Sequence, residues 1–180
     1  MDTKKEIMSI VQEDGSIDEV EVLVSFEFTD TKKAYVVYTK NEVDERGNIT
    51  VYASSLIDGP NGKRLGGVET DEEWTRIKEV LRKLAKEGQP TYNLPKTHFE
   101  DETLDFSFSG IKTAVINLHH KNPEINKADL CSSFQKTVTE TLLENVEKAI
   151  QKTEIKTVVL AGGVSANSYI RNEFMNLEKK

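Results

Sequence analysis

The chain has 180 residues, 31 of them acidic and 24 basic, which gives a net charge of -7. The charge is concentrated in the front half, because residues 1–90 contain 19 acids and 13 bases whereas residues 91–180 contain 12 and 11. This balance argues against a self-sufficient nucleic-acid surface, since phosphate binding depends on clustered Lys and Arg. A local basic patch stays open as an alternative.

The single cysteine, Cys131, cannot form an internal disulfide, and no Cys/His cluster has metal-ligand spacing. No apolar run approaches the roughly 20 residues of a membrane span, and the polar first residues lack the apolar core of a signal peptide. We therefore expect a cytoplasmic protein without membrane contact.

The residues up to about 57 predict an antiparallel β meander. Apolar and polar residues alternate from Val20 to Phe28, which is the clearest strand signal in the chain. Other apolar and β-rich runs are separated by polar turns, and a dense Gly/Pro/Asn turn precedes a short edge strand. In order, these features occupy residues 7–11, 34–38, 49–53, 58–62 and 63–65.

An acidic cluster over residues 69–73 predicts a helix start, because carboxylates favour the positive end of the helix dipole. The helix should present one apolar face and end at about Lys86, before Gly88. A cation site at the acidic cluster and a phosphate cradle at Gly66–Gly67 are the alternatives to a solvated helix start and a simple turn. The apolar face consists of Trp74, Ile77, Leu81 and Leu84.

The segment GNITVYA at residues 47–53, the pair Asp58–Gly59 and the acidic run into Glu73–Trp74 resemble the small bacterial family typified by YrzB. The resemblance covers about residues 5–82. Because that family has no established activity, it implies no function.

In the back half, Phe106 and Phe108 alternate with serines, which predicts a short strand over residues 104–108. Ser109 is placed to cap a helix that follows, and Asn126, with Asp129 three residues later, resembles a capping box at the start of a long helix to about Thr153. Apolar residues recur every four positions in this helix and predict a continuous buried stripe. They are Leu130, Phe134, Val138, Leu142 and Val146.

A β-branched run over residues 157–161 ends at Gly162 and Gly163, and a helix should follow from about Ser165 to Leu177. This strand, turn and helix can present backbone N–H groups to a phosphate or nucleotide. A glycine pair after a strand is also typical of a plain packing turn. The resulting order of strand, helix, helix, strand and helix predicts an α/β layer with at least one parallel connection.

Six motifs occur in the back half in this order: KLAKEG at 83–88, LPK at 94–96, LDFSFSGIKTAV at 104–115, SFQ at 133–135, LAGGVSAN at 160–167 and IR at 170–171. Together they resemble TsaD, the tRNA threonylcarbamoyladenosine transferase family formerly called O-sialoglycoprotein endopeptidase or glycoprotease. The resemblance implies part of an actin-like ATPase (ASKHA) lobe. It also implies that Gly162, Gly163 and Asn167 line a cleft for an adenine nucleotide or threonylcarbamoyl-AMP, and that partners are TsaB-like and TsaE-like proteins.

Several family features are missing from the matched region. The metal-binding His pair, the Ser-Gly-Gly-His loop and the metal-binding Asp have no counterpart, so we assign no catalytic and no metal-ligating residue. His119 and His120 are adjacent on a predicted helix and should point in different directions as surface or helix-end residues, and His98 lies in a loop. Ser107 and Ser109 have no base nearby that would make them nucleophiles.

The sequence thus predicts a mixed α+β or α/β protein with a YrzB-like β-rich module over residues 1–82 and a TsaD-like partial actin-like lobe over residues 83–180. The first hypothesis is a chimeric or truncated TsaD relative without complete catalytic activity, joined within one helix near residues 80–84. The alternative is a module that binds a nucleotide or a protein partner, or that self-associates through uncovered helices. We do not expect tRNA binding by the chain alone, and a glycoprotease ranks last.

Overall fold

The computed structural model describes residues 6–43, 45, 49–96, 103–122 and 124–177. It divides into two compact units: Met1–Val80 with Ile116–Ile125, and Leu81–Val115 with Asn126–Lys180. Helices α1 and α2 each contribute to both units. The elements are β1 (Ile7–Val11), β2 (Ile17–Glu27), β3 (Ala34–Thr39), β4 (Tyr52–Gly59), β5 (Gly62–Gly66), α1 (Asp71–Glu87), α2 (Ser109–Lys121), α3 (Lys127–Thr153), a 3-10 turn (Gly163–Ala166) and α4 (Ser168–Leu177).

The first unit contains one five-stranded sheet in the order β1-β2-β3-β4-β5, with every pair antiparallel. The predicted meander is therefore confirmed, and the α+β class with it. The predicted strand at residues 49–53 was placed too early, because β4 begins at Tyr52. Ile49 instead forms an isolated bridge to Val43, and the Thr39 hydroxyl donates to the carbonyl of Thr50.

One hydrophobic cluster of the first unit lies on one face of this sheet. Its buried members come from β1, β2 and β3, and half-buried residues of β1, β4 and β5 pack against them. Complete burial of each such side chain contributes about 1.5–3 kcal/mol, which makes this cluster a principal source of the unit's stability. The buried members are Ile10, Val20, Val22, Val36 and Tyr38, and the half-buried ones are Met8, Tyr52, Leu56 and Leu65.

Helix α1 begins with a capping box formed by Thr70 and Glu73. The Thr70 hydroxyl accepts from Glu73 N at 3.1 Å, and Glu73 Oε2 accepts from the backbone N–H groups of Glu69 and Thr70. The other carboxylate oxygen of Glu73 accepts from Lys33 Nζ at 2.6 Å and from the Tyr35 hydroxyl at 2.9 Å. One acidic side chain thus both caps the helix and attaches it to the β3 strand.

The long helix α3 begins as predicted, with Asn126 Oδ1 accepting from the N–H groups of Ala128 and Asp129. Asp129 has a different partner from the one expected of a capping box. Its carboxylate accepts from Gln89 N at 2.8 Å, which fixes the chain after α1 against the start of α3.

The predicted buried stripe of α3 is wrong along most of its length. Leu130 is buried, but Phe134 is 40% exposed. The buried face carries Ser133, Thr137 and Thr141, whose hydroxyls donate to carbonyls four residues earlier. Tyr92 N donates to Ser133 Oγ, so the segment after α1 covers this small, internally satisfied polar face and the bulkier stripe is left less buried.

The two strands predicted in the back half are also wrong, since neither residues 104–108 nor residues 157–161 are in a strand. Among the described residues, all five strands lie between Ile7 and Gly66. A strand needs a neighbour to pair its backbone groups, and these runs have none among the described residues of the second unit. Val158, Val159 and Leu160 are exposed as a consequence, Val159 by 80%.

Within the described ranges, no helix is both long and apolar enough to cross a bilayer.

Candidate functional site

The candidate site is a cavity of about 480 Å³ in the second unit, formed by the end of α1, the first half of α3 and the start of α4. This volume falls in the range of roughly 300–1,000 Å³ that is typical of small-molecule sites. The lining residues are cationic, amide-bearing, hydroxylic or small. They are Arg82, Lys83, Ala85, Lys86, Gly88, Pro90, Ser132, Gln135, Asn167, Ser168, Tyr169 and Asn172.

Asn167, one of the three residues expected to contact a nucleotide, lines this cavity. Its Oδ1 accepts from Tyr169 N at 2.9 Å and from Ile170 N at 3.3 Å, which caps α4. Its Nδ2 donates to Gln135 Oε1 at 3.0 Å and so joins α4 to α3. An amide group has two N–H donors, so the second hydrogen of Asn167 and both amide hydrogens of Gln135 remain for a ligand.

Gly162 and Gly163, the other two expected residues, do not line the cavity. Gly162 has φ of +89°, and its carbonyl accepts from both the N–H and the hydroxyl of Ser165, which closes the 3-10 turn. A Cβ built on either glycine would meet no atom within 4 Å. The structure therefore places Asn167 at the cavity and leaves the two glycines on open surface, where their role in binding a nucleotide stays a prediction.

One wall of the cavity is cationic, a feature that the sequence reasoning did not identify. Arg82, Lys83 and Lys86 come from the last turns of α1, and no Asp or Glu of the described residues lines the cavity. Lys83 lies 3.9 Å from Glu87, an exposed pair that neutralises little of the charge of the wall. The spacing of Arg82 and Lys86 is four residues, which puts both on the same face of the helix.

Close packing at Gly88 fixes this wall against α3. A Cβ at Gly88 would lie 2.1 Å from the carbonyl oxygen of Ala128 and 2.6 Å from Asp129 N. Only a residue without a side chain fits there, so the end of α1 approaches the start of α3 backbone to backbone. The hydrogen bond from Gln89 N to Asp129 also stabilises this contact between the end of α1 and the start of α3.

The first unit holds a second polar cluster. His119 and His120 lie in the last turn of α2, as the helix-end alternative predicted, but His119 is not on the surface. Glu21 is 1% exposed and His119 is 3% exposed. His119 Nδ1 lies 3.3 Å from Glu21 Oε1, and His120 Nε2 lies 3.0 Å from Glu21 Oε2. Asn41 Nδ2 donates to the second carboxylate oxygen at 3.2 Å. The side chains of adjacent helical residues do point in different directions. A carboxylate has two oxygens, however, and here each oxygen lies near one of the two imidazoles.

This cluster does not have the arrangement of a metal site: no group of three or more His, Cys, Asp or Glu side chains in the described part of the chain could hold a metal ion. His119 Nε2 is buried and has no hydrogen-bond partner among the described residues. His98 lies outside the described residues.

Comparison with known proteins matches the chain to two family models. The model of tRNA N6-adenosine threonylcarbamoyltransferase (TsaD) matches residues 68–180, and that of a protein family of unknown function (DUF1292) matches residues 13–86. Curated TsaD proteins are 45% identical over 100 residues in Carboxydothermus hydrogenoformans, 46% over 105 in Clostridium perfringens and 44% over 95 in Streptococcus pneumoniae. These alignments cover 56%, 56% and 51% of this chain but only 30%, 31% and 28% of the relatives. The chain thus spans less than a third of the length of the curated relatives it matches.

Proposed function

Because this chain belongs to the TsaD family, we propose that it binds an adenine nucleotide, ATP or threonylcarbamoyl-AMP, in the cavity beside Asn167. We further propose that it does not complete threonylcarbamoyl transfer to tRNA by itself. In this view the chain is a shortened relative of the enzyme that retains part of a nucleotide site.

The observation that carries the proposal is the position of Asn167. The residue belongs to the LAGGVSAN motif, lies at the cavity wall and is held in one orientation by the α4 cap and by Gln135. A fixed amide with a remaining N–H can donate to a ring nitrogen or to a ribose hydroxyl. Tyr169 and Gln135 add an aromatic ring and a second amide to the same cavity.

Incomplete transfer is supported by the residues that line the cavity. The residues that line the cavity include no carboxylate, imidazole or thiol that could act as a general base. The chemistry of transfer would therefore need groups from outside this cavity.

Isothermal titration calorimetry with ATP and AMP tests the binding. We expect wild type to bind both and Asn167→Ala to bind more weakly, while Lys148→Gln, at an exposed position of α3 outside the cavity, binds like wild type. Absence of heat with wild type would overturn the nucleotide proposal. Formation of threonylcarbamoyladenosine on tRNA by the purified chain alone would overturn the proposal of incomplete transfer.

A second candidate function, a partner-binding module, is favoured by the exposed apolar run Val158, Val159 and Leu160. An apolar extended segment without a neighbouring strand is typical of a surface that pairs with another polypeptide. The proposed occupants are TsaB-like or TsaE-like proteins or a second copy of the chain. Sedimentation of wild type and Val159→Glu, alone and with each partner, distinguishes them; a monomer that binds neither partner would exclude this function.

The modular origin also stays a proposal. We propose that a YrzB-like module, about residues 1–82, joins a TsaD-like actin-like segment, about residues 83–180, within α1. The two matched family models overlap over residues 68–86, which is nearly the span of that helix. The gene sequences of relatives from neighbouring strains would test it, since a chimera predicts that the two segments also occur in separate chains.

A further inference from the structure

We propose that Arg82 and Lys86 form a phosphate subsite of the cavity, so that the phosphates of the bound nucleotide lie against α1 and not against the Gly162–Gly163 turn. This inference rests on the proposed function, because it assigns one part of the same ligand to one wall of the same cavity.

The charge of the wall supports this assignment. Among the residues that the structure describes, Arg82 and Lys86 have no ion-pair partner and no acidic side chain lines the cavity. Two like charges four residues apart on a helix repel each other, and an anion between them would remove that repulsion.

The chemistry of the two groups fits a phosphate. Arg82 is half-buried and offers a planar fork of N–H donors that matches two phosphate oxygens, while the exposed Lys86 ammonium adds a mobile point charge. The amide-bearing residues Gln135, Asn167 and Asn172 lie on the α3 and α4 side of the cavity. Cations on one wall and neutral donors and acceptors on the other correspond to the two ends of a nucleotide.

The Gly162–Gly163 turn has neither the position at the cavity nor the positive charge of the α1 wall. Gly162 and Gly163 lie outside the cavity, and the strand that was predicted to present their N–H groups is not formed. The 3-10 turn has four residues and uses the Gly162 carbonyl internally. The positive charge that would attract a phosphate in this unit therefore lies on α1.

Calorimetry with adenosine, AMP, ATP and pyrophosphate tests the subsite. We expect the affinity of wild type to rise with the number of phosphates and to fall with added salt. The double variant Arg82→Gln/Lys86→Gln should lose about tenfold to a hundredfold in affinity for ATP, with adenosine binding unchanged, as expected for charge-assisted hydrogen bonds. Lys148→Gln, an exposed cation of α3 outside the cavity, is the matched control and should bind like wild type.

The outcomes separate this inference from the proposed function. If the double variant binds ATP as tightly as wild type, the subsite is wrong and the nucleotide site stands. If wild type binds pyrophosphate but neither adenosine nor AMP, and the double variant loses pyrophosphate, the subsite stands and the nucleotide proposal falls. If wild type binds none of the four, both fall. Circular dichroism of each variant shows that it is folded, and the single variant Arg82→Gln replaces the double one if that fails to fold.

Discussion

Glu21 and His119, 98 residues apart in the sequence, meet inside the first unit with the carboxylate 3.3 Å from the imidazole Nδ1 and both side chains buried. Glu21 lies on β2, and His119 lies in the part of α2 that belongs to this unit. A buried carboxylate is costly unless polar partners compensate it. His119, His120 and Asn41 supply that compensation, so the polar cluster specifies how the part of α2 that belongs to this unit is placed on the sheet.

Truncation of Glu21 should therefore destabilise the first unit. We expect Glu21→Ala to lower its free energy of unfolding by about 3–5 kcal/mol, because the His119 imidazole and the Asn41 amide would lose their shared acceptor inside the protein. Native-state hydrogen exchange of the sheet amides measures the loss. Glu19→Ala, at an exposed position of the same strand, should change it by less than about 0.5 kcal/mol. Equal effects of the two variants would contradict a structural role for the cluster, and His119→Gln serves as the milder variant if Glu21→Ala does not fold.

Glu73 should make the stability of the first unit sensitive to acid. Its hydrogen bonds from Lys33, from Glu69 N and from Tyr35 lower the pKa of the carboxyl from 4.5 to about 2. Because the folded pKa lies below the unfolded one, the ionised group stabilises the fold above about pH 4.5, and this contribution is lost as the pH falls toward 2.

Urea unfolding between pH 7 and pH 2 measures this pH-dependent contribution of Glu73 to stability. Glu73→Gln should be less stable than wild type at pH 7, and the difference should shrink below about pH 4.5. Glu72→Gln, an exposed neighbour in the same first turn, is the control and should differ from wild type less than Glu73→Gln does, because it loses only the interaction with the helix dipole. A constant difference between Glu73→Gln and wild type down to pH 2 would contradict the lowered pKa.

Gly88 should tolerate no side chain. Gly88→Ala would place a methyl group 2.1 Å from the Ala128 carbonyl oxygen, so α1 and α3 must move apart. We expect a loss of at least about 1–3 kcal/mol in the stability of the second unit, together with weaker binding in the cavity that this junction shapes. Gly163→Ala, which meets no neighbouring atom, is the control. Thermal unfolding that is unchanged by Gly88→Ala would show that this backbone contact is not formed.

The sheet could be predicted because its signals are local. Alternation along β2 and the turn residues between strands determine each hairpin from neighbouring residues. The burial of Glu21 could not be predicted, since its partner His119 comes from a distant helix and a charged residue in a strand usually faces solvent.

In the back half, by contrast, local sequence signals led to wrong predictions. Residues 157–161 have strong β propensity, but propensity forms a strand only where a partner strand exists. Asn167 was identified as a candidate site residue through the family resemblance. Arg82 and Lys86 were not identified, because cations four residues apart on a helix ordinarily belong to its solvent-exposed face. What distinguishes them is the cavity, which depends on the contact of Gly88 with α3.

The two roles of Asn167, capping and ligand binding, can be separated by substitution. Asn167→Asp keeps an oxygen that accepts from Tyr169 N, and its negative charge suits a helix N-terminus, so α4 should be as stable as in wild type. The same charge enters a cavity proposed to hold a phosphate, and the donor to Gln135 is lost. Calorimetry should show ATP affinity reduced by about tenfold or more while adenosine is affected less, as expected for repulsion at close range.

Asn167→Ser supplies the matched control, because it also caps a helix but carries no charge. It should lose only the amide contacts and weaken adenosine and ATP to the same degree. If Asn167→Asp binds ATP as well as Asn167→Ser does, the phosphates do not lie in this cavity. If both variants bind adenosine and ATP like wild type, Asn167 contributes to the fold of the site and does not touch the ligand.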